Sequence, residues 1–150
     1  IVEHLAAHHD WDFDRISDEQ IAMAVEGQWR TYSVTLAWSA YDETLRMVCT
    51  FEMEPPKEKL PELFELLNHV NDQCWAGAFT FWEEQKLMVY RYGLVLAGGH
   101  APGAEQIDTM IGAAVMSAER YYPAMQLLVW GNQSPQSALE VAIAEAYGRA

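Results

Sequence analysis

Recognition chemistry in this chain gathers around two arginines and their aromatic neighbours. Arg91 stands between Tyr90 and Tyr92, in an alternating run whose pleat groups it with Val89 and Gly93 on one strand face. A guanidinium placed there must snorkel to water, pair with a carboxylate or meet an anionic ligand, and Glu83 is the expected partner. Arg120 lies between Glu119 and Tyr121-Tyr122-Pro123; on a helix the adjacent glutamate does not face it. Trp82, like Trp38 and Trp130, falls near the end of an element, where an indole can line a groove. Trp82, Arg91, Arg120, Tyr121 and Tyr122 are therefore the candidate contacts for a ligand or partner. They supply cation, ring face and hydroxyl. His69 and His100 are the nearest approach to a general base, and neither has a nucleophile or an orienting carboxylate at a recognisable offset. No catalytic residue is assigned.

Metal and anion motifs fail on spacing. Asp10-x-Asp12-x-Asp14 copies the opening ligands of a calcium-binding loop, but the glycine needed at the loop's sixth position is Arg15 and the bidentate glutamate needed at its twelfth is Ile21. His4, His8 and His9 provide an i, i+4 pair with no third or fourth ligand placed by spacing. The loop Gly98-Gly99-His100-Ala101-Pro102-Gly103 leads into a helix N-terminus, where anions are favoured, yet it has neither the dinucleotide glycine pattern nor a Gly-Lys-Ser/Thr. No metal or cofactor is expected.

Periodicity supplies the elements that would position these residues. Ile1, Leu5 and His8 share one face of a short helix over residues 1–9. Residues 16–27 read either as a helix, from Ser17, Gln20 and Gly27, or as a strand, from the alternation of Ile21, Met23 and Val25; the strand is preferred. Tyr32 to Trp38 and Leu45 to Met53 alternate as a hairpin across Tyr41-Asp42-Glu43, completing a three-stranded meander. Pro55-Pro56 ends the run. Leu60, Leu63, Phe64, Leu67, Val70 and Cys74 then form a helical stripe with Pro61 in its first turn and Gly77 as its stop. A second hairpin joins Phe79 and Phe81 to Met88 through Leu96 across Glu83 to Lys86. Ile107, Met110, Ile111, Ala114, Val115, Ala118, Tyr122, Met125 and Val129 form a long helical face that Pro123 should kink or break. Ser134 caps a closing helix from Pro135. The order α-β-β-β-α-β-β-α predicts an α+β domain spanning 1–150: an antiparallel sheet of about five strands flanked by helices.

Composition narrows the partners. The 22 acids against nine bases give a formal charge of -13, which repels phosphate backbones and anionic lipid, so neither nucleic acid nor membrane is expected. The front half is the more acidic, and a basic protein surface would suit it. Cys49 and Cys74 sit in apolar periodic contexts as buried thiols of a reducing compartment. No signal peptide and no apolar run near ~20 residues is found, so a cytoplasmic protein is expected.

Several stretches resemble one family. Gly27-x-Trp29-x-x-Tyr32, Leu66-Leu67-x-x-Val70-Asn71, Gly77-Ala78-Phe79, Val89-Tyr90-Arg91, Glu119 through Gln126, Val129-Trp130-Gly131 and Ala138-Leu139 through Glu145-x-x-Gly148 are similar to the YbjN family of bacterial proteins, described as sensory transduction regulators. The similarity spans about residues 10–150 and leaves the first nine outside. It implies the fold of type III secretion chaperones, which commonly dimerise, and no established enzymatic activity or cofactor. The expected function is a non-enzymatic cytoplasmic regulatory or protein-binding module with an unidentified protein or peptide partner. The alternative is a small-molecule sensor or weak hydrolase with a groove near Trp82, Arg91 and Tyr122. The small, half-polar face of Ser33, Thr35, Ala37 and Thr50 is a candidate homodimer surface.

Overall fold

Strict alternation of buried and exposed side chains organises the centre of the sheet, as the period of two requires when one face is packed. The computed structural model describes residues 12–148. Six strands are present: β1 (Asp12–Ser17), β2 (Gln20–Glu26), β3 (Thr31–Ser39), β4 (Thr44–Glu52), β5 (Ala78–Trp82) and β6 (Leu87–Val95). A 3-10 turn (Lys57–Lys59) leads into α1 (Leu60–Asp72), and α2 (Ala104–Val129) and α3 (Pro135–Gly148) close the chain. The predicted helix over residues 1–9, with His4 and His8, and His9 beside them, lies outside the described residues. The α+β class holds. The sheet has one strand more than the five expected.

That extra strand is β1. Its six residues are all exposed, and three of them carry charge, so it has no buried side to leave a pattern. Backbone pairing to β2 defines it instead, with Asp12 opposite Ala24 and Asp14 opposite Ala22. These carboxylates stand on an extended strand, not in a cation-binding loop.

All neighbours pair antiparallel in the order β1-β2-β3-β4-β6-β5. The second hairpin thus joins the meander through β6, not β5. This pairing sets Arg91 opposite Val48 and Gly93 opposite Arg46. On one side of the sheet Met23, Tyr32, Val34, Met47, Cys49, Met88 and Tyr90 are at most 3% exposed and share a single core with α1, α2 and the start of α3. On the other side no helix among the described residues contributes to that core. Ala24, Ser33, Arg46, Arg91 and Gly93 are exposed there. No helix among the described residues is long and apolar enough to cross a membrane.

Three local expectations change. In α1 the buried residues are Leu63, Leu66, Leu67 and Val70, and Phe64 is 44% exposed; the inward stripe therefore includes Leu66, one turn along from Leu63. Gly77 does not stop α1, which ends at Asp72, but packs beside β6. And α2 runs unbroken through Pro123. A mid-helix proline costs ~3 kcal/mol through its missing donor and its clash with the preceding turn. Here Tyr121, Ala124 and Met125 are each at most 2% exposed, so tertiary burial on both sides of the proline holds the helix together. The core-facing step goes from Ala118 to Tyr121 rather than to Tyr122. Ser134 caps α3 as expected, its hydroxyl accepting from the Ser137 N–H at 3.2 Å.

Candidate functional site

Two joints fasten the helices to the sheet, and both are assembled from the residues that carry the family resemblance. In the first, the Glu119 carboxylate of α2 reaches the turn between β2 and β3, where Oε1 accepts from the Trp29 N–H at 3.3 Å. A Cβ on Gly27 would overlap that oxygen and approach the Tyr32 ring at 2.6 Å, so only glycine admits the glutamate. Burial, and then the negative charge of Glu119, push the Tyr32 hydroxyl above its ordinary range. Arg30 Nε, Tyr32 OH and Glu119 Oε2 are all buried there without a well-formed hydrogen bond. The Arg30 guanidinium lies over the rings of Phe51 at 5.3 Å and Tyr122 at 5.7 Å. Those two rings meet edge to face at 5.4 Å.

The second joint lies at β5. Asn71, near the end of α1, accepts from the Phe79 N–H at 2.7 Å and donates to the Phe79 carbonyl at 2.9 Å. One side-chain amide thus occupies both backbone groups that Phe79 turns away from β6. The Phe79 ring meets Tyr90 at 5.1 Å and Tyr121 at 6.1 Å, both edge to face. Tyr121 OH donates to Gln73 at 3.0 Å. Burial raises the hydroxyl pKa of Tyr90 and Tyr121. Gly77 is required by close approach: an added Cβ would sit 2.5 Å from the Arg91 carbonyl oxygen.

The opposite face, on which no helix among the described residues packs, is built differently. A concavity of about 880 Å³ lies over β4, β6 and β5, with Asp42, Arg46, Arg91, Trp75 and Trp82 among its walls and Gly93 in its floor. Arg46 and Arg91 are diagonal neighbours across β4 and β6, because Val48 faces Arg91 and Gly93 faces Arg46. Arg46 forms an ion pair with Asp42 at 2.7 Å, both side chains being substantially exposed. Arg91 has no hydrogen bond, ion pair or ring contact among the described residues. The expected pairing with Glu83 is absent, since Glu83 belongs to the turn beyond β5 while Arg91 sits opposite Ala78 at that strand's start. Trp75, in the loop before β5, is 99% exposed. Among the described residues no His, Cys or Ser lines this concavity, and none of them assembles a nucleophile with its base there.

The five candidate contacts therefore divide. Trp82 and Arg91 line the concavity; Arg120, Tyr121 and Tyr122 are on the helix side of the sheet. Tyr121 is core and Tyr122 is half-buried against Phe51, while the Arg120 guanidinium lies 5.5 Å from the Tyr121 ring centre. A single groove near Trp82, Arg91 and Tyr122 does not exist. Nor do Trp38, Trp82 and Trp130 share one: Trp38 borders a smaller crevice of about 240 Å³ with Ile21, Leu36 and Ile107. Cys49 is buried, which pushes its thiol up to about 12; Cys74 is only half-buried. His69 lies 3.9 Å from Glu65 on the exposed side of α1. Arg46 and Trp75 escaped the sequence reading, because the link between the two hairpins that makes Arg46 a neighbour of Arg91 leaves no trace in periodicity.

An antiparallel six-stranded sheet, joined on one face to α1, α2 and α3 by aromatic and amide contacts, makes the protein α+β in class. The family model for YbjN, described as "Putative bacterial sensory transduction regulator", matches residues 1–127, and the chain belongs to this family. The match takes in the first nine residues and ends before Val129-Trp130-Gly131 and α3. The fold is similar to the crystal structure of "YbjN, a putative transcription regulator from E. coli", with a TM-score of 0.54 and 10% identity, covering 96% of this chain and 90% of that one. The sequence matches no curated protein.

Proposed function

We propose that the chain is a single-domain, non-enzymatic regulatory module of the YbjN type that holds a protein or peptide partner on the open face of its sheet. The observation that carries this reading is a difference between the two faces among the described residues: α1, α2 and α3 share a core with one face, and the other presents Arg46, Arg91, Trp75 and Trp82 around a concavity. Exposed aromatics and arginine are the residue types enriched at protein contacts. The cytoplasm is the proposed compartment, and the charge of -13 argues against nucleic acid and membrane. The flatter half of the same face, with Ser33, Thr35 and Ala37, suits a homodimer contact. Light scattering that finds a concentration-independent monomer removes the dimer.

Pull-down from native lysate with mass spectrometry tests the partner. The intact chain should recover a stoichiometric protein; Val48→Lys should lose it and Arg120→Ala should keep it. If neither version recovers one, the partner reading fails.

The second reading is a small-molecule sensor, and the volume of the concavity favours it, since ~300–1,000 Å³ is usual for such sites. It uses Trp82 and Arg91 without Tyr122. Hydrolysis receives no support from the lining residues.

A further inference from the structure

We propose that the concavity on the open face is a recognition site for a small organic acid: one carboxylate on a flat, apolar body, anchored by Arg91. The inference deepens the sensor reading and rests on it, independently of any protein partner. Its first support is the state of Arg91. In a chain where acids outnumber bases 22 to nine, this guanidinium has no partner among the described residues. Its cross-strand neighbours, Val48 and Ala78, offer no acceptor side chain. An unpaired arginine over small apolar residues keeps its planar fork free, and that fork matches a carboxylate in a two-bond geometry.

Charge balance then limits the ligand. Among the described residues the charged side chains lining the concavity are Asp42, Arg46 and Arg91. Asp42 and Arg46 satisfy each other at 2.7 Å, leaving one free positive charge and hence room for one negative one. A dianion or polyphosphate would meet the same single cation within the repulsive field of the whole chain.

The remaining surfaces suit the body of such a molecule. Gly93 keeps the floor low beside Arg46; a Cβ there would press on Thr44 Cγ2 at 3.2 Å. Val89, two residues before Arg91 on the same strand face, is fully buried between Thr50 and Thr80. Trp75 leads into Ala78 and holds its indole 99% exposed at the rim, and Trp82 stands at the other end of β5. Both indoles border the concavity that Arg91 lines, so a planar acid can lie against an indole while its carboxylate is held.

Naphthylacetate titrated into the full chain by calorimetry, beside its uncharged amide and inorganic phosphate, tests the proposal. The acid should bind one to one. The amide and phosphate should each bind at least roughly tenfold more weakly, as loss of a charge-assisted pair predicts. Arg91→Ala should weaken the acid by a similar factor, Arg91→Lys by less, and Arg120→Ala not at all. Trp75→Ala should weaken acid and amide alike. Equal binding of acid and amide overturns the proposal, as does undiminished binding to Arg91→Ala, equal affinity for phosphate, or no binding of the acid. The acid-against-amide comparison needs no variant. If the acid fails to bind while Val48→Lys still loses a captured protein, this inference falls and the partner reading stands.

Discussion

Behind the sheet, Asn71 satisfies both free backbone groups of Phe79, Gly27 gives way to Glu119, and three aromatic rings interlock around Phe79 and Tyr121. In front of it, the Arg91 side chain has no partner among the described residues and Trp75 is almost wholly in water. The same strands build both sides, since Tyr90 and Arg91 are consecutive and point opposite ways. The difference separates residues held by the fold from residues the fold leaves available. It also reverses the first impression of the tyrosine-proline stretch, whose Tyr121 and Tyr122 are joints and whose surroundings are already filled.

Alkaline titration should expose the contrast most strongly. Burial raises Cys49 from 9.0 to about 12, and Tyr32, Tyr90 and Tyr121 lie above their ordinary value of 10.0. The unfolded chain therefore loses these protons first. The stability they contribute is complete below about pH 9 and falls as pH rises toward 12 and beyond. Urea midpoints measured over this range should drop steeply, and Tyr32→Phe should flatten the slope. An unchanged slope would mean that the helix-side joint is not closed in solution.

Phe79→Ala removes the ring shared by Tyr90 and Tyr121 and should cost about 3–5 kcal/mol in urea unfolding. Gly77→Ala forces a methyl against the Arg91 carbonyl and should cost ~1–3 kcal/mol. Asn71→Ala strips Phe79 of both bonds, for a loss of ~1–2 kcal/mol; replacement by Asp, which can only accept, should recover part of it. On the open side Thr35→Lys and Arg91→Ala should each shift stability by less than ~0.5 kcal/mol. A large loss from either would show that this face is already packed and would break the contrast.

Much of this arrangement was legible in the sequence, for reasons that particular residues make plain. Alternation in β3 and β4 was clear because Tyr32, Val34, Leu36, Met47 and Cys49 are all buried, and Ser134 announced α3 through its cap. β1 was missed, because its side chains are all exposed and the short Trp11-Asp12-Phe13-Asp14 alternation breaks at Arg15-Ile16-Ser17. Pro123 misled, because a local penalty says nothing about the burial on each side that overrides it. The candidate contacts do not form one group in the fold, since Trp82 and Arg91 line the concavity while Arg120, Tyr121 and Tyr122 lie on the helix side. Whether Arg91 and Tyr122 share a groove depends on which way each faces once β6 pairs with β4, and that pairing is a long-range choice. Arg46 became visible as a neighbour of Arg91 only through it.

The two hydrogen bonds from Asn71 also bear on how copies of the chain could associate. A sheet with both borders free can recruit strands at each end and grow without limit, the geometry of a fibre. On β5 a side chain of the same molecule already holds the Phe79 N–H and carbonyl, so a strand arriving at that border finds those two positions taken. Pairing there is hindered, and growth from both borders at once is disfavoured. A single amide at residue 71 thus guards one border of the sheet.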